Sequence, residues 1–500
     1  MYFAVTRRAV PWLAAVLFFA VEWASNAFFG YGVFIDEMYF VACARRLAWG
    51  YVDHPPLSIA LLRVVLVFGD SLPVLRVGPA FFGAVAVWLA SRMALRLGAS
   101  AWAAGLSALA TAGAPVLLVI FGFYSMNALE IAWVLGLVSV LFEIVAERRL
   151  RLWLAFGGLA GLALLNKHTA GVYALALLAG VALSPYRSVL VSGWLLAGAA
   201  VALLLFAPNV YWQVQHGWVS LEFYRNATAL KNVDSPAHRV LVDQLLSANP
   251  CSLPILLAGF HFSLARDRRL MFVPCAYLLL LAGMVFSGSS RPDRIAALLP
   301  ALFAAGAARL DGSRRAGSRL PAMAAGLLAL GAVALAPIGL PVLSPPALGA
   351  YAQALGVVPK IERRKSSAAP QWFGDRFGWD RVARAAEHAT AQLPAQERAR
   401  AAVIGASYGY SGALERFGRG LPAIIGRHNA WHEWGIPEPA PTTLLWVGFQ
   451  EAEVRRYCAQ FEIAARFTRP YTTDVDRPIF LCRQLREPLA QLWPRLRLLM

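Results

Sequence analysis

Apolar stretches close to twenty residues long recur from Trp12 to Leu340, and several contain no charge at all. A helix rises about 1.5 Å per residue, so about 20 residues cross the roughly 30 Å of hydrocarbon in a bilayer. A chain of 500 residues that is 59% hydrophobic, 15% charged and has a mean hydropathy of +0.55 is not an ordinary soluble globule. Its apolar side chains must face lipid. The sequence places spans at about 11–29, 74–91, 99–121, 127–146, 152–166, 169–184, 188–208, 251–265, 270–287, 294–308 and 320–341.

Basic residues alternate with these spans. Arg7 and Arg8 precede the first, and the joins after even-numbered spans hold Arg92 and Arg96, then Arg148, Arg149 and Arg151, then Arg187, then Arg266, Arg268 and Arg269, then Arg309, Arg314, Arg315 and Arg319. By the positive-inside rule these joins are cytoplasmic. The long joins 30–73, 209–250 and 288–293, and the tail from about 343, are then expected outside. The net charge of +18 is mostly this topology signal. No basic face interleaved with aromatics accompanies it, which argues against a nucleic-acid partner. The five cysteines show no CxxC spacing, and Cys458 with Cys482 is a weak disulfide candidate. Glu22 inside the first apolar run, and the ten further spans, favour an uncleaved first helix over a signal peptide.

The expected architecture is a polytopic α-helical membrane domain over 1–342, with outer loops at 30–73 and 209–250, followed by a soluble α/β domain over 343–500. In the first outer loop, 37–49 and 57–68 read as helices lying in the interface plane, joined by a stiff turn at Pro55-Pro56. In the tail, 401–406, 442–449 and 478–482 read as strands, and 382–393 and 451–461 as helices.

Ionisable groups near hydrocarbon are costly, about 2.5–3.5 kcal/mol on insertion scales, so each invites a functional reading. Six groups stand out. Asp36-Glu37 follows the first span, where Asp36 as a helix N-cap is the bland explanation. Asp53-His54 precedes the two prolines, and would hold a divalent metal through Asp53, bind an anion through His54, or simply form a polar turn. Asn127 and Glu130 lie one turn apart at the start of the fourth span. Lys167, in Asn166-Lys167-His168, is one of four lysines among 46 basic residues, and a compact cation suits a phosphate. His216, Glu222, Tyr224 and Arg225 share the second long loop, and Arg291, Asp293 and Arg294 precede the tenth span. Ordinary loop charge is the competing explanation for each. All six fall on the outer side by an argument that used only arginine placement. Carboxylates and cations at one membrane face fit a site that binds a lipid-linked phosphate and does acid/base work.

Taken in order, Asp36-Glu37-Met38-Tyr39, GYVDHPPL (50–57), FGDSLPVLR (68–76), YSMNALE (124–130), LLNKHTAG (164–171), PNVYWQVQHGW (208–218), EFYRN (222–226), DQLLSANP (243–250), ASYGYSGALERFG and GRHNAWHEWG (426–435) resemble the integral-membrane GT-C glycosyltransferases of the bacterial protein-mannosyltransferase-like family, relatives of the lipid A aminoarabinose transferase. The resemblance implies inverting transfer of a sugar from a polyprenyl-phosphate donor to a glycan, lipid or protein acceptor at the outer face of a bacterial inner membrane. It makes Asp36 the catalytic carboxylate, with Glu37 in support. It also implies that His54, Lys167, Arg225, Arg291 and Arg294 surround the carrier phosphate, with Asp53, Asn127, Glu130 and His216 as further polar contacts. His54 stands where relatives often carry lysine, and Asn166 where they carry Ser or Thr. Aromatic and histidine side chains at His428, Trp431, His432 and Trp434 either stack on sugar or pack the core of the outer domain. The alternative reading of the whole is a transporter or flippase for a lipid-linked sugar, although no paired broken-helix segments stand out in the sequence.

Overall fold

The computed structural model describes residues 2–231, 235–288, 291–356 and 370–500; Lys360 and Lys365 lie outside them. The chain forms two compact units. The first combines residues 1–30, 54–212 and 233–343, and the second 31–53, 213–232 and 344–500.

The first unit is helical, and every expected span corresponds to a helix or a bent pair of helices. Among the described residues, six single helices are long and apolar enough to cross a membrane: Arg7–Phe28, Leu72–Arg96, Met126–Glu147, Gly193–Gln215, Arg268–Phe286 and Leu320–Gly339. The expected third span is not straight, and the expected eighth is one limb of a bent pair whose other limb lies in the expected outer loop 209–250. Ala101–Ala112 and Pro115–Phe121 meet at 68°, and Ala237–Ser247 and Pro250–Arg266 at 84°. Both breaks sit before a proline, which lacks an N–H and pushes the preceding residue out of the α region. Ala114 accordingly adopts ψ 114°. Broken segments are therefore present, contrary to the reading of the sequence, and 237–247 is a helix limb rather than part of an open loop. The remaining three stretches form the shorter helices Trp153–Asn166, Thr169–Ala182 and Leu299–Arg315.

Backbone groups freed by a break need partners where no water reaches them. Asn249 supplies them at both. Its side-chain NH2 donates to the Gly113 carbonyl at 3.2 Å, in the first break, and its side-chain oxygen accepts from the Cys251 N–H at 3.0 Å, in the second. It is fully buried and holds φ +74°, a conformation asparagine tolerates better than most residues. Asn249→Ala strands both groups and should cost about 3 kcal/mol, while Asn249→Asp keeps the acceptor and should cost less. Thermal inactivation of the detergent-purified variants checks that order.

In the second unit five strands form a sheet of order β2-β1-β3-β5-β4, with β1 Ala401–Gly405, β2 Ala423–Gly426, β3 Thr443–Val447, β4 Cys458–Phe467 and β5 Arg477–Leu485. The β2-β1-β3 portion is parallel and β3-β5-β4 antiparallel. β1, β3 and β5 are the strands legible in the sequence; β2 and β4 are additions. The helix expected over 451–461 stops at Tyr457, where β4 begins. Cys458 and Cys482 are joined by a disulfide between β4 and β5. Closing a loop of that length restricts the unfolded chain by about 3 kcal/mol. A Cys458→Ala/Cys482→Ala double variant should lose about that much stability in this unit, measurable by denaturant unfolding.

The helix expected at 37–49 is Ile35–Arg45, and most of its surface is covered by protein. Nine of its side chains, from Ile35 to Ala44 with Asp36 excepted, are buried in the second unit. It packs against the helix Tyr408–Phe417. Two glycines allow this approach. A Cβ on Gly409 would come within 2.4 Å of the Ile35 side chain, and one on Gly412 within 3.0 Å of the Met38 Cβ. The expected partner helix, Leu57–Val65 with the turn Leu66–Phe68, belongs to the first unit and leaves Val64, Val67 and Phe68 exposed.

Candidate functional site

The two acids after the first span do different things. The N-cap of the Ile35–Arg45 helix is Phe34, not Asp36, and Glu37 at the third helical position accepts from the Phe34 N–H at 2.9 Å. Glu37 is fully buried and caps its own helix. Asp36 lies in the first turn, where the helix dipole favours a carboxylate, and it is half-buried. Its Oδ1 accepts a hydrogen bond from the Tyr408 hydroxyl at 2.8 Å.

Around Asp36 the second unit builds an aromatic ladder. The Tyr39 ring lies 5.1 Å from Tyr408, and Tyr408 lies 5.0 Å from the His428 ring. Tyr39 donates its hydroxyl to Asp53 Oδ1 at 2.7 Å and accepts from the Ala430 N–H at 3.3 Å. Burial, with the Asp53 charge adding to it, holds the Tyr39 phenol well above its ordinary pKa, so it stays a donor. His428 Nδ1 accepts from the Tyr408 N–H at 3.2 Å, which places the proton on Nε2, 2.9 Å from a main-chain oxygen of Met500. Sequence reasoning missed Tyr408, although it sits in the ASYGYSGALERFG segment.

His428, Trp431 and His432 are buried. His432 stacks on Trp493 at 4.8 Å, and Arg46 lies 4.4 Å over the Trp434 ring while pairing with Glu415 at 2.7 Å. In the 213–232 segment His216 is exposed, as is Arg225, and Glu222 forms a two-pronged pair with Arg497 at 2.8 and 2.9 Å.

The first unit gathers a second group. Glu130 is buried, with Asn127 half-buried one turn before it in the Met126–Glu147 helix. The Glu130 carboxylate binds the Lys167 ammonium at 2.7 Å and also accepts from the Thr169 hydroxyl. Lys167 occupies the extended residue, ψ 132°, where Trp153–Asn166 ends, and Asn166 fixes that end by donating to the Met126 carbonyl at 2.9 Å. A buried glutamate there is thus explained by ion pairing, and Lys167 is a partnered cation. His168 Nε2 meets the Asn209 side-chain oxygen at 3.1 Å. Tyr173 donates to the Arg294 carbonyl at 2.7 Å. Arg291 pairs with Asp293 at 3.0 Å. Burial would raise the Asp293 pKa, but Arg291, Lys167 and Arg294 together outweigh it and bring it down to about 2. That balance brings Lys167, Arg291, Asp293 and Arg294 into one electrostatic neighbourhood. His54 is fully buried, with Nδ1 at 3.1 Å from the Pro55 carbonyl.

Asp53 remains the acidic residue to which a divalent metal would be assigned. Its Oδ1 is held by Tyr39, and among the described residues no three His, Cys, Asp or Glu side chains gather as a metal cage. No step is derived through a metal.

Residues 53–212 match the family model described as dolichyl-phosphate-mannose-protein mannosyltransferase. Among solved structures, ArnT from Cupriavidus metallidurans in the apo state superposes with a TM-score of 0.62 at 16% identity, covering 95% of this chain and 98% of that one. The same protein bound to undecaprenyl phosphate gives 0.60 at 16% identity over 94% and 97%. The archaeal oligosaccharyltransferase AglB from Archaeoglobus fulgidus, in complex with an inhibitory peptide and a dolichol-phosphate, gives 0.51 at 13% identity over 93% and 74%. No curated protein matches by sequence. At these identities what is shared is the fold, and it is a multi-pass membrane fold carrying a small sheet domain.

Proposed function

We infer that this chain is a GT-C glycosyltransferase of the protein-mannosyltransferase and ArnT type, which moves a sugar from a polyprenyl-phosphate donor to an acceptor. The observation that carries the assignment of the phosphate site is a charge imbalance in the first unit. Lys167, Arg291 and Arg294 set three cations against the two carboxylates of Glu130 and Asp293. An anionic phosphate leaving group is the ligand such an excess stabilises. His54 and the exposed Arg225 are assigned to the same carrier, and Asn127 and His216 to polar contacts with substrate.

In the reaction proposed, an acceptor hydroxyl attacks the anomeric carbon. The bond from that carbon to the carrier phosphate breaks, and its electron pair leaves with the phosphate oxygen. Cations stabilise the resulting charge, so this leaving group needs no proton donor. Asp36 takes the hydroxyl proton as the new glycosidic bond forms, and attack opposite the leaving group inverts the configuration. Asp53, held by Tyr39, is a fixed carboxylate beside the His54 segment in the chain. The Cys458–Cys482 disulfide supports placing the second unit in an oxidising compartment, outside the cytoplasmic membrane. Acceptors in reach of such a face are a glycan, a lipid or a protein.

Transfer of radiolabelled sugar from a polyprenyl-phosphate donor by the detergent-purified protein tests the reading. Detergent leaves no compartments to cross, so transfer there excludes transport as the activity. Donor left intact with every acceptor class would overturn it.

A further inference from the structure

We propose that Tyr408 is a positioning residue for the transfer reaction, and that its hydroxyl sets the orientation and basicity of Asp36. The proposal rests on Asp36 being the carboxylate that accepts the proton of the acceptor. Tyr408 belongs to the tail, more than three hundred residues away in sequence, yet its hydroxyl donates to Asp36 Oδ1 at 2.8 Å. Its ring is fixed on two sides, by Tyr39 at 5.1 Å and by His428 at 5.0 Å. Its backbone is fixed too, because the N–H donates to His428 Nδ1 and His428 is itself tied to a main-chain oxygen of Met500. Gly409 and Gly412 then let the Tyr408–Phe417 helix lie close enough to Ile35–Arg45 for the bond to form. A phenol held this firmly on a half-buried carboxylate has a use beyond packing. A hydrogen bond to the carboxylate favours its ionised form and fixes its orientation.

Tyr408→Phe keeps both ring contacts and removes only the hydroxyl. Without that donor the ionised form of Asp36 is less favoured, so its pKa rises and the acidic limb of kcat/KM moves up by about one pH unit. Below the limb the variant is about tenfold slower than the parent, and above it the two converge, with the donor KM unchanged. Installing 3-fluorotyrosine at position 408 gives a stronger donor and moves the limb the opposite way, which keeps the test available where the Phe variant folds poorly. A uniform loss across pH, falling with thermal stability, would mean that Tyr408 only packs. An unmoved limb in both variants beside an inactive Asp36→Asn overturns the Tyr408 proposal alone. Normal transfer by Asp36→Asn overturns the reading of Asp36, and this proposal with it.

Discussion

Asp36→Asn is expected to lower sugar transfer to a hydroxyl acceptor by roughly 10²–10⁴-fold, the range that general-base removal produces, while leaving the protein folded. The asparagine keeps the shape of the side chain, and its amide oxygen still accepts from the Tyr408 hydroxyl, now 2.8 Å from Oδ1. The start of the Ile35–Arg45 helix does not depend on it, because Glu37 makes the capping bond to the Phe34 N–H. Thermal melting of Asp36→Asn should therefore stay within about 1 kcal/mol of the parent, as substitutions away from caps and cores do. Glu37→Gln should show the reverse pattern, with a weakened helix start and a smaller effect on transfer at a temperature where it is folded. The acceptor matters to the size of the effect. A phosphate acceptor brings no proton to remove, so Asp36→Asn should slow its glycosylation far less than that of a hydroxyl. Undiminished transfer to a hydroxyl by Asp36→Asn would rule out Asp36 as the base.

The membrane part was legible because its signal is long and local: each of the eleven apolar stretches overlaps a helix, and among the described residues six helices, or up to eight spans with the bent pairs, are long and apolar enough to cross a membrane. The bends were also written in the sequence, at Pro115, which hydropathy averaged over a span hides, and at Pro250, which stands at the edge of the expected outer loop. What could not be read locally is the partnership that closes each bend, since Asn249 reaches Gly113 across 136 residues. The outer domain shows the same division. β1, β3 and β5 have apolar runs that mark them, whereas β4 mixes exposed and half-buried positions with no period of two through Gln460–Arg466 and follows directly on a helix. The partner of the Ile35–Arg45 helix was hidden for a related reason. Its run from Met38 to Ala44 fits either lipid or protein, and the Tyr408–Phe417 helix that packs on it is distant in sequence. The acids and bases were visible by type, but their partners were not. Glu130 with Lys167 was nearly inferable from charge alone; Asp36 with Tyr408 was not, because tyrosines are plentiful and carry no charge to betray a pairing.

Lys167→Met is expected to be among the most destabilising single substitutions in the first unit. It leaves the Glu130 carboxylate, whose side chain is 3% exposed, without its cation and with the Thr169 hydroxyl as its remaining described partner. Breaking a buried pair on one side costs about 3–5 kcal/mol. Removing both charges together, in Glu130→Gln/Lys167→Met, should restore most of that loss, because the neutral amide still accepts from Thr169 and no uncompensated charge remains. Melting temperatures of the two single variants and the double variant give the coupling directly. Activity should not follow stability. If the Lys167 ammonium neutralises the carrier phosphate, the double variant folds but binds donor weakly and stabilises the leaving group poorly, with kcat/KM for donor down by about 100-fold, in the range of losing one charge-assisted contact. A purely structural ion pair predicts that the double variant regains transfer along with stability. Recovery of both would return Lys167 to the scaffold and leave the carrier phosphate to Arg291 and Arg294.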